Sequence, residues 1–153
     1  AAIEKYKNQT TTLFVGPSDY GRLTFEYPKF WSAYQATDVS EGGGATYEAY
    51  LNPVVVPPVE ETTKFALRIT IEQKTYDQSL AEYQKQIEKG ELKSTTYTDG
   101  ARTGIKITGN FNDDIYGTAV VIKMRDRTLT IRTDGDVFKE NFETILKTVK
   151  FNE

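Results

Sequence analysis

The chain is 153 residues long, with 19 basic and 22 acidic side chains, a formal net charge of −3 at pH 7, and neither histidine nor cysteine. These absences exclude a Ser-His-Asp triad, a cysteine nucleophile and a His/Cys zinc site, and the interspersed charges form no arm suited to nucleic acid. A single domain of this length buries about 68–70% of the surface its unfolded chain exposes, enough to hold a core without disulfides or metal.

In chain order, residues 1–10 are polar and read as a linker or membrane-proximal stalk, and 11–153 as one domain. The start without methionine is expected to reflect trimming from a longer precursor, and the ten tyrosines and abundant threonine resemble secreted or cell-surface bacterial domains. No apolar run approaches the ~18–20 residues that span a bilayer. Residues 11–15 suit a short strand. From Gly21, Leu23, Phe25 and Tyr27 alternate with Arg22, Thr24 and Glu26, the period of a half-buried strand. Pro28 removes a ladder donor and ends it, and Phe30 and Trp31 are expected to plug the end of the sheet. A second strand is read over 31–39, a hairpin loop over "EGGGA" (41–45), and a return strand over 46–52 with Tyr47, Ala49 and Leu51 inward.

The segment "NPVVVPPVEE" holds prolines 53, 57 and 58 and reads as extended and unpaired. Residues 64–74 form the clearest strand pattern, with Phe65, Leu67, Ile69 and Ile71 on one face and Lys64, Arg68, Thr70 and Glu72 on the other. The period then becomes helical: Asp77 is the expected N-cap, Leu80, Tyr83, Gln84 and Ile87 recur, and Gly90 stops the run. Strands are read over 92–98 and 103–109, then a hairpin of 116–125 and 127–133 turning at Asp126. Its apolar run 119–122 is two-sided and predicts a central strand. Asp134 or Asp136 is expected to cap a last helix whose stripe is Phe138, Phe142, Ile145, Leu146 and Val149.

Together these elements predict an α+β fold, an antiparallel sheet of about seven strands packed with two main α-helices. Three stretches, "LTFEYPKFW", "SLAEYQKQI" and "FKENFETILKTVKF", resemble the PsbP/Mog1-like superfamily in kind and order over about residues 20–151. The resemblance implies that fold, aromatics of a Tyr-Pro-x-x-Trp segment sealing one end of the core, and an extracytoplasmic, lipoprotein-like or membrane-anchored setting. It transfers no functional residue.

Several constellations read as structural. Asn110, Asn112, Asp113 and Asp114 could open a calcium loop, but Ile115 and Val121 stand where an EF-hand needs glycine and glutamate, so a turn is expected. The run 42–44 lacks the Lys-Ser/Thr of a phosphate loop. Nothing in the spacing selects Glu60 with Glu61, or Glu26 with Glu48, as a glycosidase pair.

Two surfaces are candidates for recognition. One is the apolar group Tyr50, Val54, Val55, Val56 and Val59. The other is a basic, threonine-rich sheet face, Arg68, Thr70, Lys106, Lys123, Thr130 and Arg132, suited to an anionic or glycan-like ligand. Arg22 is expected on the same side, and part of that face is expected to meet water. The function expected is a non-catalytic extracytoplasmic binding or assembly module, without cofactor or metal, whose partner is another protein or a cell-envelope component. The domain is expected to be monomeric, not to span the membrane and not to bind nucleic acid. The alternatives are a small-ligand carrier or carboxylate-dependent enzyme with a cleft between sheet and helix, and a self-associating structural protein.

Overall fold

A computed structural model describes residues 10–37, 46–99 and 102–152, and among these the periodicities of the sequence become nine strands and two α-helices. The order is β1 (Thr11–Val15), β2 (Thr24–Pro28), β3 (Trp31–Gln35), β4 (Tyr47–Pro53), β5 (Leu67–Glu72), α1 (Tyr76–Glu88), β6 (Leu92–Asp99), β7 (Arg102–Asn110), β8 (Tyr116–Lys123), β9 (Thr128–Thr133) and α2 (Lys139–Leu146). Seven strands form an antiparallel sheet in the order β3-β4-β5-β9-β8-β7-β6, and β1 pairs with β2 in a separate hairpin. Of the expected stalk at 1–10 only Thr10 is described, its carbonyl accepting from Lys29 N at 2.8 Å, and the expected hairpin loop at 41–45 lies outside the described residues.

One face of the sheet carries the main core. Tyr47, Ala49 and Leu51 of β4, Leu67, Ile69 and Ile71 of β5, and Leu129 and Ile131 of β9 are buried there against Phe142, Ile145 and Leu146 of α2 and against the β1–β2 hairpin. In that hairpin Phe14 stacks on Phe25 at 4.6 Å between centroids. The tail after α2 runs along β2: Thr24 and Lys150 exchange backbone hydrogen bonds of 2.8 and 2.9 Å, and Asn152 N donates to Gly21 O. Helix α1 covers part of the other face, where Tyr76, Leu80, Tyr83 and Ile87 pack on Leu92, Ile105, Ile107 and Val121. Every residue of β8 between its two end residues is buried, as a strand covered on both faces requires.

The N-cap of α1 lies two residues before the expected one. Thr75 is the N-cap, its hydroxyl accepting from Gln78 N while the Gln78 side chain accepts from Thr75 N, a capping box. Asp77 sits in the first turn, where a carboxylate suits the helix dipole. Beyond the helix, Gly90 adopts φ 79°, a conformation glycine enters at little cost.

Two aromatics fall elsewhere than expected. Trp31 is the plug, 6% exposed and edge-on to Phe138 at 5.9 Å, whereas Phe30 is 65% exposed. A turn separates β2 from β3 at that point, and only the second aromatic enters the ladder facing the core. Phe65 does not share a face with Leu67. It precedes the strand and tilts against Tyr50 at 4.7 Å on the opposite side. Its N–H donates to the Asp134 carboxylate and that of Ala66 to Asn52 Oδ1, so regular pairing starts only at Leu67.

Trp31→Ala should lower unfolding free energy by about 3–5 kcal/mol, as for other buried aromatics, while Phe30→Ala should change it by less than about 1 kcal/mol. Denaturant unfolding of the two variants checks the assignment of the plug.

Candidate functional site

Because α1 lies over β6, β7 and β8, no helix among the described residues covers the second face of the sheet over β4, β5 and β9. The alternation of those strands places Glu48 and Tyr50, Arg68, Thr70 and Glu72, and Thr130 and Arg132 there, bordered by Tyr83 of α1 around a shallow space of about 120 Å³.

Asp134 organises this shelf from beneath. Its side chain is fully buried, one carboxylate oxygen accepting from Arg68 Nε at 2.5 Å and from Phe65 N at 2.9 Å, the other from Arg132 Nε at 2.8 Å. Arg68 also donates through Nη2 to Thr63 O at 2.6 Å, and its guanidinium lies over the Phe65 ring at 4.8 Å. Arg132 lies over the Phe111 ring at 4.9 Å. Burial holds the Arg132 guanidinium below its ordinary range, with Asp134 opposing that shift, and burial raises the Tyr83 and Tyr50 hydroxyls. A buried carboxylate is tolerated only when paired, and here two cations surround it.

This corrects the expected capping role of Asp134. The short 3-10 turn Asp136–Phe138 leading into α2 has Gly135 as its N-cap, with no side-chain cap, and Asp136 lies in its first turn. At the end of β9 the Asp134 side chain turns inward to the arginines instead of forward to the helix.

The sheet-face candidates divide accordingly. Arg68, Thr70, Thr130 and Arg132 come together. Lys106 lies on the opposite face, paired with Glu143 of α2, because its register partner Val120 points into the main core. Lys123 shares the shelf's face but is exposed at the far end of β8, opposite Thr128. Arg22 precedes β2 in a left-handed turn, φ 45°. With both arginines bound to Asp134, and Glu48 and Glu72 beside them, the shelf is close to charge-balanced rather than basic. It offers hydrogen bonds, not a free cation. No group of three or more acidic side chains that could hold a metal occurs among the described residues. Asn112 Oδ1 accepts from the N–H groups of Asp114 and Ile115, folding that polar connection on itself.

The apolar candidates also divide. Tyr50 is 6% exposed beneath Phe65 and belongs to the shelf. Val54, Val55 and Val59 are exposed and Val56 is half-buried. A groove of about 540 Å³ runs between Ser32, Ala33 and Tyr34 of β3 and residues 55–59. Tyr34, 50% exposed at this groove, was not among the sequence candidates. Alternation within "WSAYQ" is the signal for it, since it sets Ser32 and Tyr34 on the face opposite Trp31.

Val54 holds a strained backbone. Its φ is 64°, and Val55 N donates to Pro53 O at 2.7 Å, the i to i+2 bond of a γ-turn. Val54 N donates to Phe30 O, and Ser32 Oγ donates to Val54 O at 2.6 Å. A β-branched residue in this region is disfavoured by about 1–3 kcal/mol and persists only where its surroundings over-determine it.

Two substitutions test these assignments in denaturant unfolding. Asp134→Asn, which leaves two partly buried arginines without their anion, should cost about 3–5 kcal/mol, against less than about 1 kcal/mol for Asp136→Asn. Val54→Gly should raise stability by about 1 kcal/mol, because relief of ~1–3 kcal/mol of strain exceeds the ~0.5–1 kcal/mol entropic cost of glycine.

Comparison with protein-family models and with curated proteins finds no match. The similar solved structures include the following two. The solution structure of cyanobacterial PsbP (CyanoP) from Synechocystis sp. PCC 6803 aligns over 93% of this chain and 92% of its own, with 13% identity and a TM-score of 0.55. A crystal structure from Bacteroides thetaiotaomicron VPI-5482 aligns over 95% of this chain and 50% of its own, with 14% identity and a TM-score of 0.50. At such identities the likeness is one of fold, and the fold is PsbP/Mog1-like: a seven-stranded antiparallel sheet with two main helices.

Proposed function

We propose that this chain is a non-catalytic, extracytoplasmic binding or assembly module that holds another protein or a cell-envelope component against its valine-proline strip. One observation carries the reading. Of nine exposed large hydrophobic residues among those described, five (Phe30, Tyr34, Val54, Val55 and Val59) gather around β3 and the segment that follows β4. Clustered exposed apolar surface marks contact sites, whereas isolated residues do not.

The strip is ordered before any partner arrives. Prolines 53, 57 and 58 restrict it, Asn52 Nδ2 donates to Val55 O, and Thr63 Oγ1 donates to Pro58 O. Little conformational entropy remains to be lost on binding. The strain at Val54 fits the same picture, since it keeps an apolar side chain 75% exposed where a relaxed turn would favour glycine. The arginine–aspartate shelf is read as the device that holds the fold beneath this surface. Residues 11–153 are read as one domain. No helix among the described residues is long and apolar enough to cross a membrane.

Replacing Val54, Val55 and Val59 with serine should reduce capture of a partner from native membranes at least tenfold, with unfolding free energy within about 1 kcal/mol of wild type. Unchanged capture, or a stability loss of several kcal/mol that marks the valines as a lid on the core, would defeat the proposal.

A further inference from the structure

We infer that the partner seated at this strip is a second copy of the chain, joined by antiparallel pairing of β3 with β3 across a two-fold axis. The inference rests on the reading of the valine-proline strip as a contact surface, and names what covers it.

Strand β3 is one edge of the seven-stranded sheet. Its bonds to β4 fall at alternate residues: Val54 N donates to Phe30 O, Ala36 N donates to Glu48 O, and the register between them puts Ser32 opposite Asn52 and Tyr34 opposite Tyr50. The backbone N–H and C=O groups of Trp31, Ala33 and Gln35 therefore point away from the sheet, and no hydrogen bond reaches them among the described residues. Natural edges are guarded by charge, proline or a bulge. The strand "WSAYQ" has no charged residue and no proline, and its pairing with β4 is continuous. The opposite edge, β6, carries Lys93 and Asp99.

The outward residues select the occupant. An antiparallel strand added here must pair through Trp31, Ala33 and Gln35, and a second β3 centred on the same alanine satisfies that register with itself. Ala33 faces Ala33 of the other copy, and Trp31 faces its Gln35, giving about six new backbone hydrogen bonds. The small side chain at the axis lets the two strands approach, and no like charges meet there.

The same register sets Ser32 opposite Tyr34 of the other copy, on the face that carries the groove. That tyrosine ring then enters the groove against Val55, Val56 and Val59, and the contact repeats in reverse, as an isologous interface demands. A guest strand of unrelated sequence would need an aromatic or branched residue at that position by chance, whereas this chain supplies it. The result is one continuous sheet across two molecules. It departs from the monomer expected of the sequence, because strand order, and with it the identity of the edges, is not visible in a pattern of alternation.

Ala33→Pro is a selective test. The Ala33 N–H faces outward, so proline removes an intermolecular donor without breaking the pairing with β4. Ala33→Lys, at an exposed position, places like charges on the axis and serves as a second variant should proline disturb folding. Sedimentation equilibrium of the full chain from low micromolar to millimolar concentration should show wild type passing to twice its monomer mass, and both variants staying monomeric with wild-type circular dichroism, their dimerisation weakened at least 100-fold. Amide exchange should slow with concentration at Trp31, Ala33 and Gln35 but not at Ser32 and Tyr34, which are bonded within the monomer. A dimer that survives both substitutions with unchanged affinity would overturn the inference. So would a wild type that stays monomeric at millimolar concentration. If that monomer still captures a different protein through its valines, only the identity of the partner falls and the strip reading stands.

Discussion

The carboxylate of Asp134, placed without solvent contact between Arg68 and Arg132, is the constraint on which the second face of the sheet depends. It joins the neighbouring central strands β5 and β9 through their side chains, adding a tie to the backbone ladder on the face that α1 does not reach. It also accepts from Phe65 N, which stops the ladder at Leu67 and turns Phe65 over Tyr50. Through Arg68 the tie extends to Thr63 O, and Thr63 in turn bonds Pro58 O. The loop bearing the exposed valines is therefore anchored at its far end by the same cluster. Breaking a buried pair by removing one partner leaves an uncompensated charge, so none of the three residues can be exchanged alone without loss.

Much of the architecture was legible because a half-buried antiparallel sheet writes a period of two into its sequence. Leu67, Ile69 and Ile71, the two-sided run of β8, and the helical spacing of Leu80, Tyr83 and Ile87 all lie where that logic puts them. What alternation cannot supply is the relation between strands. Lys106 and Arg68 look alike in their own strands, yet pairing through β8 and β9 sets them on opposite sides of the sheet. The capping role expected of Asp134 fails for a similar reason. An aspartate between a strand and a helix suits a cap on local grounds, and only the approach of Arg68 from a strand 66 residues away gives it a stronger use. Proximity in sequence puts Tyr50 with the valines, although β4 carries it under Phe65.

The candidate surface was legible in composition but not in consequence. Prolines 53, 57 and 58 announce an extended segment, and valines that meet no ladder stand out as apolar groups in search of cover. Left open were the positive φ of Val54, which follows from two backbone bonds and the Ser32 hydroxyl, and the neighbourhood of Tyr34. The two apolar systems differ in kind. The core face is closed by α2 and the β1–β2 hairpin, whereas the strip has no cover of its own among the described residues and borders a sheet edge.

The tail that runs beside β2 has a consequence for the order in which the molecule can assemble. Glu26 N donates to the Thr148 hydroxyl across a separation of 122 residues, and Thr24 and Lys150 close a still longer loop. A contact of this kind adds nothing until nearly all the intervening chain has been brought together, and loop-closure entropy delays it further. The β1–β2 hairpin gains that cover only when residues 148–152, far along the chain from it, join it. Strands β1 and β2 therefore stay without that cover until the rest of this domain has come together, which makes residues 148–152 a late closure of the core rather than a nucleus for it.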